Sequence, residues 1–140
     1  MAENLSSGTA GVSANEALIT YTHVIYALHA LAVVVGISTS VTIVGSFVCG
    51  IPSIVAVIMN YARRSATRGT FLASHFDWQI RTFWFALLWS IVIWAVSLPL
   101  MLVLVGFPLF FLGFAALAIW IVYRVLRGWL ALRDRRPMYL

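Results

Sequence analysis

Two long apolar blocks dominate the chain, and short polar segments separate and flank them. The first block covers residues 18–61 and the second covers residues 78–129. A helix crosses the hydrocarbon core of a bilayer with about 20 residues, so each block is long enough for two spans. The pattern therefore predicts an all-α integral membrane four-helix bundle, with a single transmembrane domain over residues 17–130. The four spans are predicted at about 17–37, 41–61, 79–104 and 107–128.

The polar segments predict three further features. Residues 1–16 are small and polar, which is typical of a disordered N-terminal tail. Residues 62–77 are polar but include Phe71 and Phe76, a composition that fits a short interfacial segment between the second and third helices. Residues 131–140 form a basic C-terminal tail.

The boundary between the first two spans has two possible positions. One is the run of glycine and hydroxyl residues at 36–40, and the other is the stretch from Gly45 to Pro52. The pattern leaves both open. Proline lacks an N–H and crowds the preceding helical turn, so Pro52, Pro99 and Pro108 are predicted positions of helix kinks.

Composition then excludes a soluble domain. Of the 140 residues, 63% are hydrophobic and 9% are charged, whereas soluble domains contain roughly 25% charged residues. The formal net charge of +5 comes from arginines that flank the apolar blocks. Because such arginines meet anionic headgroups, we expect the lipid bilayer, and not a nucleic acid, as their partner.

The arginines also predict the orientation of the chain. All nine basic residues are arginines, and they lie between the blocks or near and beyond the ends of the second. Basic residues favour the cytoplasmic face, and both groups can lie there only if the number of spans is even. The N-terminus and the C-terminus are therefore both predicted to be cytoplasmic. The arginines expected to contact headgroups are Arg63, Arg64, Arg68, Arg124 and Arg127.

Two histidines and one asparagine fall inside predicted spans. The six-residue spacing of His23 and His29 places them on different faces of one helix, so they are poorly placed to share a metal ion. The favoured role for both is a hydrogen bond to a neighbouring helix or a position near the interface, and a ligand or proton-relay role is the alternative. Asn60 can bond across helices or meet the interface. Cys49 is the single cysteine, and no metal site is predicted.

The densest polar stretch is residues 74–84. It contains a predicted functional face that consists of His75, Trp78, Gln79, Asp77 and Arg81. The first three share one side of a helix, while Asp77 and Arg81 have the i, i+4 spacing of an ion pair. This face suits a proton site, a lipid-headgroup site or a docking surface. The stretch equally fits a plain helix start with Ser74 as the N-cap, and both interpretations stay open.

The run from Gly50 to Phe83 also resembles a known family. A proline-led apolar helix ends in basic residues, a phenylalanine-containing loop and a histidine follow, and the next helix opens with glutamine. The residues concerned are Pro52, Arg63, Arg64, Phe71, His75, Gln79 and Phe83. This pattern is similar to the small bacterial membrane proteins of unknown function related to the twenty-kilodalton component of the chloroplast inner-envelope import translocon. The resemblance covers about residues 20–125, and its specific part is 50–84. It implies a four-helix membrane fold and transfers no catalytic residue.

The sequence has no Ser-His-Asp set, no carboxylate pair and no phosphate-binding loop. We therefore expect neither enzymatic activity nor a cofactor. The leading prediction is a non-enzymatic protein of the bacterial inner membrane. It is an accessory, assembly or scaffold subunit that acts on a membrane-protein partner, or on a second copy, through helix packing and the cytoplasmic basic loop. The alternative is a small oligomeric transporter or channel with intramembrane histidines.

Overall fold

The computed structural model consists of four long helices and one short 3-10 helix. It describes the backbone of residues 2–39 and 43–138, and the side chains of residues 15–36 and 50–138. The 3-10 helix, Arg64–Thr67, lies between the second and third helices. The long helices are α1 (Ala2–Thr39), α2 (Ile43–Arg63), α3 (Leu72–Met101) and α4 (Gly106–Arg133). The described residues contain no strand, which confirms the predicted all-α fold.

Three stretches of these helices are long and apolar enough to cross a bilayer. They are Asn15–Gly36, Leu72–Met101 and Gly106–Arg133, and each exceeds the roughly 20 residues that a span requires. The chain is therefore a multi-pass membrane protein. The side chains of the first part of α2 lie outside the described residues, so the span predicted at residues 41–61 stays a prediction.

The helices pack as two hairpins that lie side by side. The contacts of α1 are mainly with α2, those of α3 are mainly with α4, and the hairpins meet chiefly where α1 packs along α4. Connections as short as residues 102–105 can join only antiparallel neighbours. The α1–α2 hairpin is tied by the hydroxyl of Tyr21, which donates to the carbonyl oxygen of Met59 at 3.0 Å.

The first hairpin differs from its prediction at two places. The first helix begins at Ala2, so residues 2–16 are helical where the sequence predicts a disordered tail. No proline interrupts that stretch, and an existing helix grows without the cost of a new nucleus. The second helix runs unbroken from Ile43 through Pro52, so the possible boundary at Gly45 to Pro52 is wrong. Residues 40–42 lie outside the described residues, as does the side chain of Cys49.

The second hairpin is longer than predicted at its polar end. The third helix begins at Leu72 rather than near residue 79, and the fourth continues to Arg133. The predicted interfacial segment is therefore partly helical, and the predicted basic tail starts within α4. Because headgroups and water solvate the charged residues of the terminal turns, a helix can continue beyond the hydrocarbon core.

The prolines have different positions in these helices. Pro108 is the third residue of α4, where a missing N–H costs no helical hydrogen bond. Pro52 and Pro99 lie inside α2 and α3, and kinks there stay predictions. Gly106, the first residue of α4, allows this helix to start against the end of α3. A Cβ at this position would lie 2.6 Å from the carbonyl carbon of Leu100, which is too close.

Buried side chains concentrate at one end of the bundle, where α2 stops and α3 starts. The larger cluster comprises Ile19, Tyr26, Leu72, Val125 and Leu132, and the smaller comprises Ile25, Ala56 and Phe76. Between residues 83 and 124, by contrast, only Ser97 and Gly106 are buried. Lipid is as apolar as leucine, so burial of apolar surface does not by itself drive helices together in a membrane. Close packing and hydrogen bonds at the buried end therefore hold the two hairpins.

Candidate functional site

His75 lies at the centre of the buried end, in the first turn of α3, and both its ring nitrogens are hydrogen-bonded. Its Nε2 lies 2.8 Å from the carbonyl oxygen of Arg136, and its Nδ1 lies 3.0 Å from the hydroxyl of Tyr26. A carbonyl only accepts, so Nε2 donates to Arg136, and in the neutral tautomer with this proton Nδ1 accepts from Tyr26. Neither ring nitrogen of His75 is free, and the ring joins α3 to α1 and to the segment after α4.

Tyr26 reaches this histidine because α4 carries a glycine opposite it. A Cβ at Gly128 would lie 2.7 Å from Cε1 and 2.8 Å from Cζ of Tyr26, closer than real Cβ atoms come. The Tyr26 ring is 1% exposed and meets His75 edge-on, with a centroid separation of 6.0 Å. Gly128 therefore sets the distance between α1 and α4 at this site.

The segment after α4 folds back onto the start of α3 through a second contact. The backbone N–H of Met138 donates to Oγ of Ser74 at 2.9 Å, and this hydroxyl donates to the carbonyl oxygen of Phe71 at 2.7 Å. The prediction of Ser74 as the N-cap is wrong, because α3 begins two residues earlier and Phe71 occupies the N-cap position. The serine ties the C-terminal segment to α3 instead.

Arg124 turns into the bundle rather than toward the headgroups for which the sequence predicts it. Its guanidinium carbon lies 3.6 Å from the centroid of the Trp78 ring, and its Nε donates to Oγ1 of Thr82 at 2.7 Å. The indole N–H of Trp78 donates to the carbonyl oxygen of Arg124 at 3.2 Å. A cation stacked on an indole and bonded to a hydroxyl is stabilised without a carboxylate. This contact fastens α4 to α3.

A water-sized cavity lies between these groups. It is lined by Tyr26, His29, Trp78, Gln79, Thr82, Arg124 and Val125, and its volume is about 10 Å³, close to that of a single water molecule. Gln79 is 2% exposed, and neither atom of its amide has a hydrogen-bond partner among the described residues. The Nε2 of His29 is also buried without a partner there, while its Nδ1 donates to the carbonyl oxygen of Ile25 at 3.0 Å. Buried polar groups thus surround this cavity, which is too small for an organic substrate.

The predicted functional face divides into a buried part and an exposed part. His75, Trp78 and Gln79 are buried against α1 and α4, whereas Asp77 and Arg81 point away from that contact. The predicted ion pair of Asp77 with Arg81 is wrong: Oδ1 of Asp77 lies 2.9 Å from Nη2 of Arg64. The 3-10 helix brings Arg64 beside the first turns of α3, which the spacing along one helix does not reveal.

His23 and Asn60 are the other two intramembrane polar residues that the sequence analysis singled out. Nδ1 of His23 accepts from the indole N–H of Trp129 at 3.0 Å, so this histidine bonds to a neighbouring helix as the sequence favours. Asn60 is fully buried, and its amide has no partner among the described residues. Within the described part of the chain, no three His, Cys, Asp or Glu side chains are grouped for a metal ion.

The two arginine-rich segments lie at the same end of the bundle. Arg63, Arg64 and Arg68 are exposed where α2 ends, as Arg127 is near the end of α4. Glu16 of α1 lies at this end too, because its Oε1 is 2.7 Å from Nη2 of Arg135. Of the five arginines predicted to contact headgroups, four are exposed at this end and Arg124 is the exception.

No protein-family model, curated protein or solved structure matches the chain. The resemblance to the import-translocon family therefore stays a prediction, carried by the residues between Gly50 and Phe83. The sequence pattern indicated His75, Trp78 and Gln79 but neither partner of His75, Tyr26 and Arg136, nor Gly128, which makes room for Tyr26. A buried histidine needs partners, yet nothing in the local pattern selects a tyrosine forty-nine positions away.

Proposed function

We propose that this chain is a non-enzymatic subunit of a membrane assembly, located in the bacterial inner membrane. Its buried end holds the two hairpins together, and the far half of α3 contacts a transmembrane helix of a partner protein or of a second copy. The polar side chains support this role, because His75, Trp78 and Arg124 form hydrogen bonds between elements of the bundle. They do not converge on a pocket that could admit a substrate.

The observation that carries the proposal is the position of Trp89. Its side chain is 52% exposed, and it has no hydrogen bond or ring contact among the described residues. About 20 residues cross the hydrocarbon core, so the span that follows Arg81 extends to the end of α3 at Met101 and has Trp89 near its middle. Tryptophan favours the interfaces, where its N–H finds a partner, over the hydrocarbon core. An acceptor on an adjacent helix would meet this need.

A second exposed tryptophan lies on a different side of α3. Trp94 is 45% exposed, and its ring packs edge-on against Phe110 of α4 at 5.2 Å between centroids. Because Trp89 and Trp94 are five residues apart, they lie about 140° from each other around the helix. We therefore assign the proposed contact to the side of the third helix that carries Trp89.

The orientation in the proposal follows from the arginines. Both arginine-rich segments lie at one end of the bundle, and basic residues favour the cytoplasmic side. We accordingly propose that the N-terminus and the C-terminus are cytoplasmic, with the far ends of the hairpins on the opposite side.

The test is the mass of the particle extracted from membranes without detergent, in polymer-bounded native nanodiscs. The unchanged protein should appear with a stoichiometric second chain, and Trp89→Leu should reduce that chain severalfold. Ile91→Ala is the matched control, because Ile91 is 57% exposed and lies about 200° around the same helix. Only monomer in the unchanged protein, or equal losses in both variants, would contradict the proposal.

A further inference from the structure

An open groove runs along the outer side of α3, away from the buried site. Its volume is about 460 Å³, and it is lined by Arg64, Asp77, Ile80, Arg81, Trp84, Phe85 and Leu88. All of these except Arg64 recur every three or four residues on α3, so they form one helical face. Arg64 reaches the groove from the 3-10 helix. The groove is thus polar at its α3 N-terminal end and apolar farther along the helix.

The charged end of the groove carries a net positive charge. Nη2 of Arg64 is paired with Asp77 at 2.9 Å, so these two charges largely cancel. The exposed guanidinium of Arg81 has no hydrogen bond or ion pair among the described residues. One unbalanced cation therefore stands beside an ion pair whose arginine can share its remaining donors with an anion.

The direction of the groove follows the membrane normal. The third helix has 30 residues, about ten more than the hydrocarbon core requires. Asp77 and Arg81 lie within its first ten residues, so the surplus belongs at the headgroups. The indole N–H of Trp84 donates to the hydroxyl of Tyr61 at 3.1 Å, an aromatic pair suited to the interface. Leu88, one turn farther, then lies in the hydrocarbon region.

We propose that this groove binds an anionic phospholipid. The phosphate and headgroup contact Arg81 and the free donors of Arg64, and an acyl chain lies along Trp84, Phe85 and Leu88. The net positive charge selects an anionic lipid over a zwitterionic one. The apolar wall, which continues into the hydrocarbon region, selects a lipid over free phosphate. This site does not depend on the proposed contact at Trp89.

The test is a lipid titration of the purified full chain in neutral detergent, with bound lipids counted by native mass spectrometry. Dioleoyl phosphatidylglycerol should bind more tightly than dioleoyl phosphatidylcholine. Arg81→Gln should weaken phosphatidylglycerol binding about fivefold, from roughly 1 kcal/mol per arginine at a lipid surface. Asp77→Asn should strengthen the same binding, because it removes the one negative charge in the groove.

Arg68→Gln is the matched control, since Arg68 is exposed at the same end of the bundle but does not line the groove. It should leave the affinity unchanged within twofold. Equal affinities for the two lipids, or equal losses in the Arg81 and Arg68 variants, would overturn the proposal in favour of general surface charge. Inorganic phosphate should not displace the lipid. Full displacement by millimolar phosphate would mean that the groove binds the anion alone and does not select a lipid. Unchanged circular dichroism of each variant shows that the fold is intact.

Discussion

Replacing Gly128 by alanine tests the close approach of α1 and α4 at the buried site. The new methyl group would lie 2.8 Å from Cζ of Tyr26, which is 1% exposed and would have to shift. Overpacking of this kind costs about 1–3 kcal/mol, and displacement of the ring also breaks the hydrogen bond to His75, worth about 1 kcal/mol. Alanine returns about 1 kcal/mol through its helix propensity. The expected loss is about 2 kcal/mol.

The assay is reversible unfolding in mixed micelles of rising dodecyl sulfate content, followed by far-ultraviolet circular dichroism. Gly50→Ala is the control, because a Cβ there meets only Cδ1 of Ile54, at 4.0 Å. That variant should be unchanged, or stabilised by up to about 1 kcal/mol. In a Tyr26→Ala background the Gly128 substitution should cost far less, since its clash partner is gone. A Gly128 variant as stable as the Gly50 variant would mean that the close approach of α1 and α4 does not require glycine at this position.

Three further predictions use the same unfolding assay. Tyr26→Phe leaves Nδ1 of His75 buried without a donor and should cost about 1 kcal/mol, whereas no loss would mean that this bond contributes nothing. Arg124→Met should cost about 1–2 kcal/mol, because it removes the stacked cation and its bond to the threonine hydroxyl. Arg127→Met, at an exposed arginine, should cost less than about 0.5 kcal/mol, and equal effects of the two arginine variants would contradict this assignment. Asp77→Asn should change the stability by less than about 1 kcal/mol, since both partners of its ion pair are about half exposed.

The hydropathy pattern was sufficient for the all-α membrane fold and for the turn near Gly106. Long apolar runs and chain-breaking residues are local features, and local features determine where helices form in lipid. Helix ends were less predictable, because the terminal turns of α3 and α4 extend past the hydrocarbon core. Their polar residues resemble a loop in composition but remain helical at headgroup depth.

The candidate site was predictable only in part. The i, i+3 and i+4 spacing brings His75, Trp78 and Gln79 to one face whatever the tertiary structure is. Their partners come from α1 and α4, and that choice depends on how the hairpins pack. The same packing turns Arg124 toward Trp78 and places Arg64, instead of Arg81, beside Asp77. Charge and spacing along the chain hold no information about either outcome.

The most direct test of the proposed subunit role is photocrosslinking in intact membranes with a photoreactive amino acid at position 89. Leu112 is the control position, since it lies on α4 and its side chain is 70% exposed. The proposed subunit role predicts one dominant protein adduct from position 89, either with a single partner or with a second copy, and mainly lipid adducts from position 112. Lipid adducts alone from both positions would contradict it.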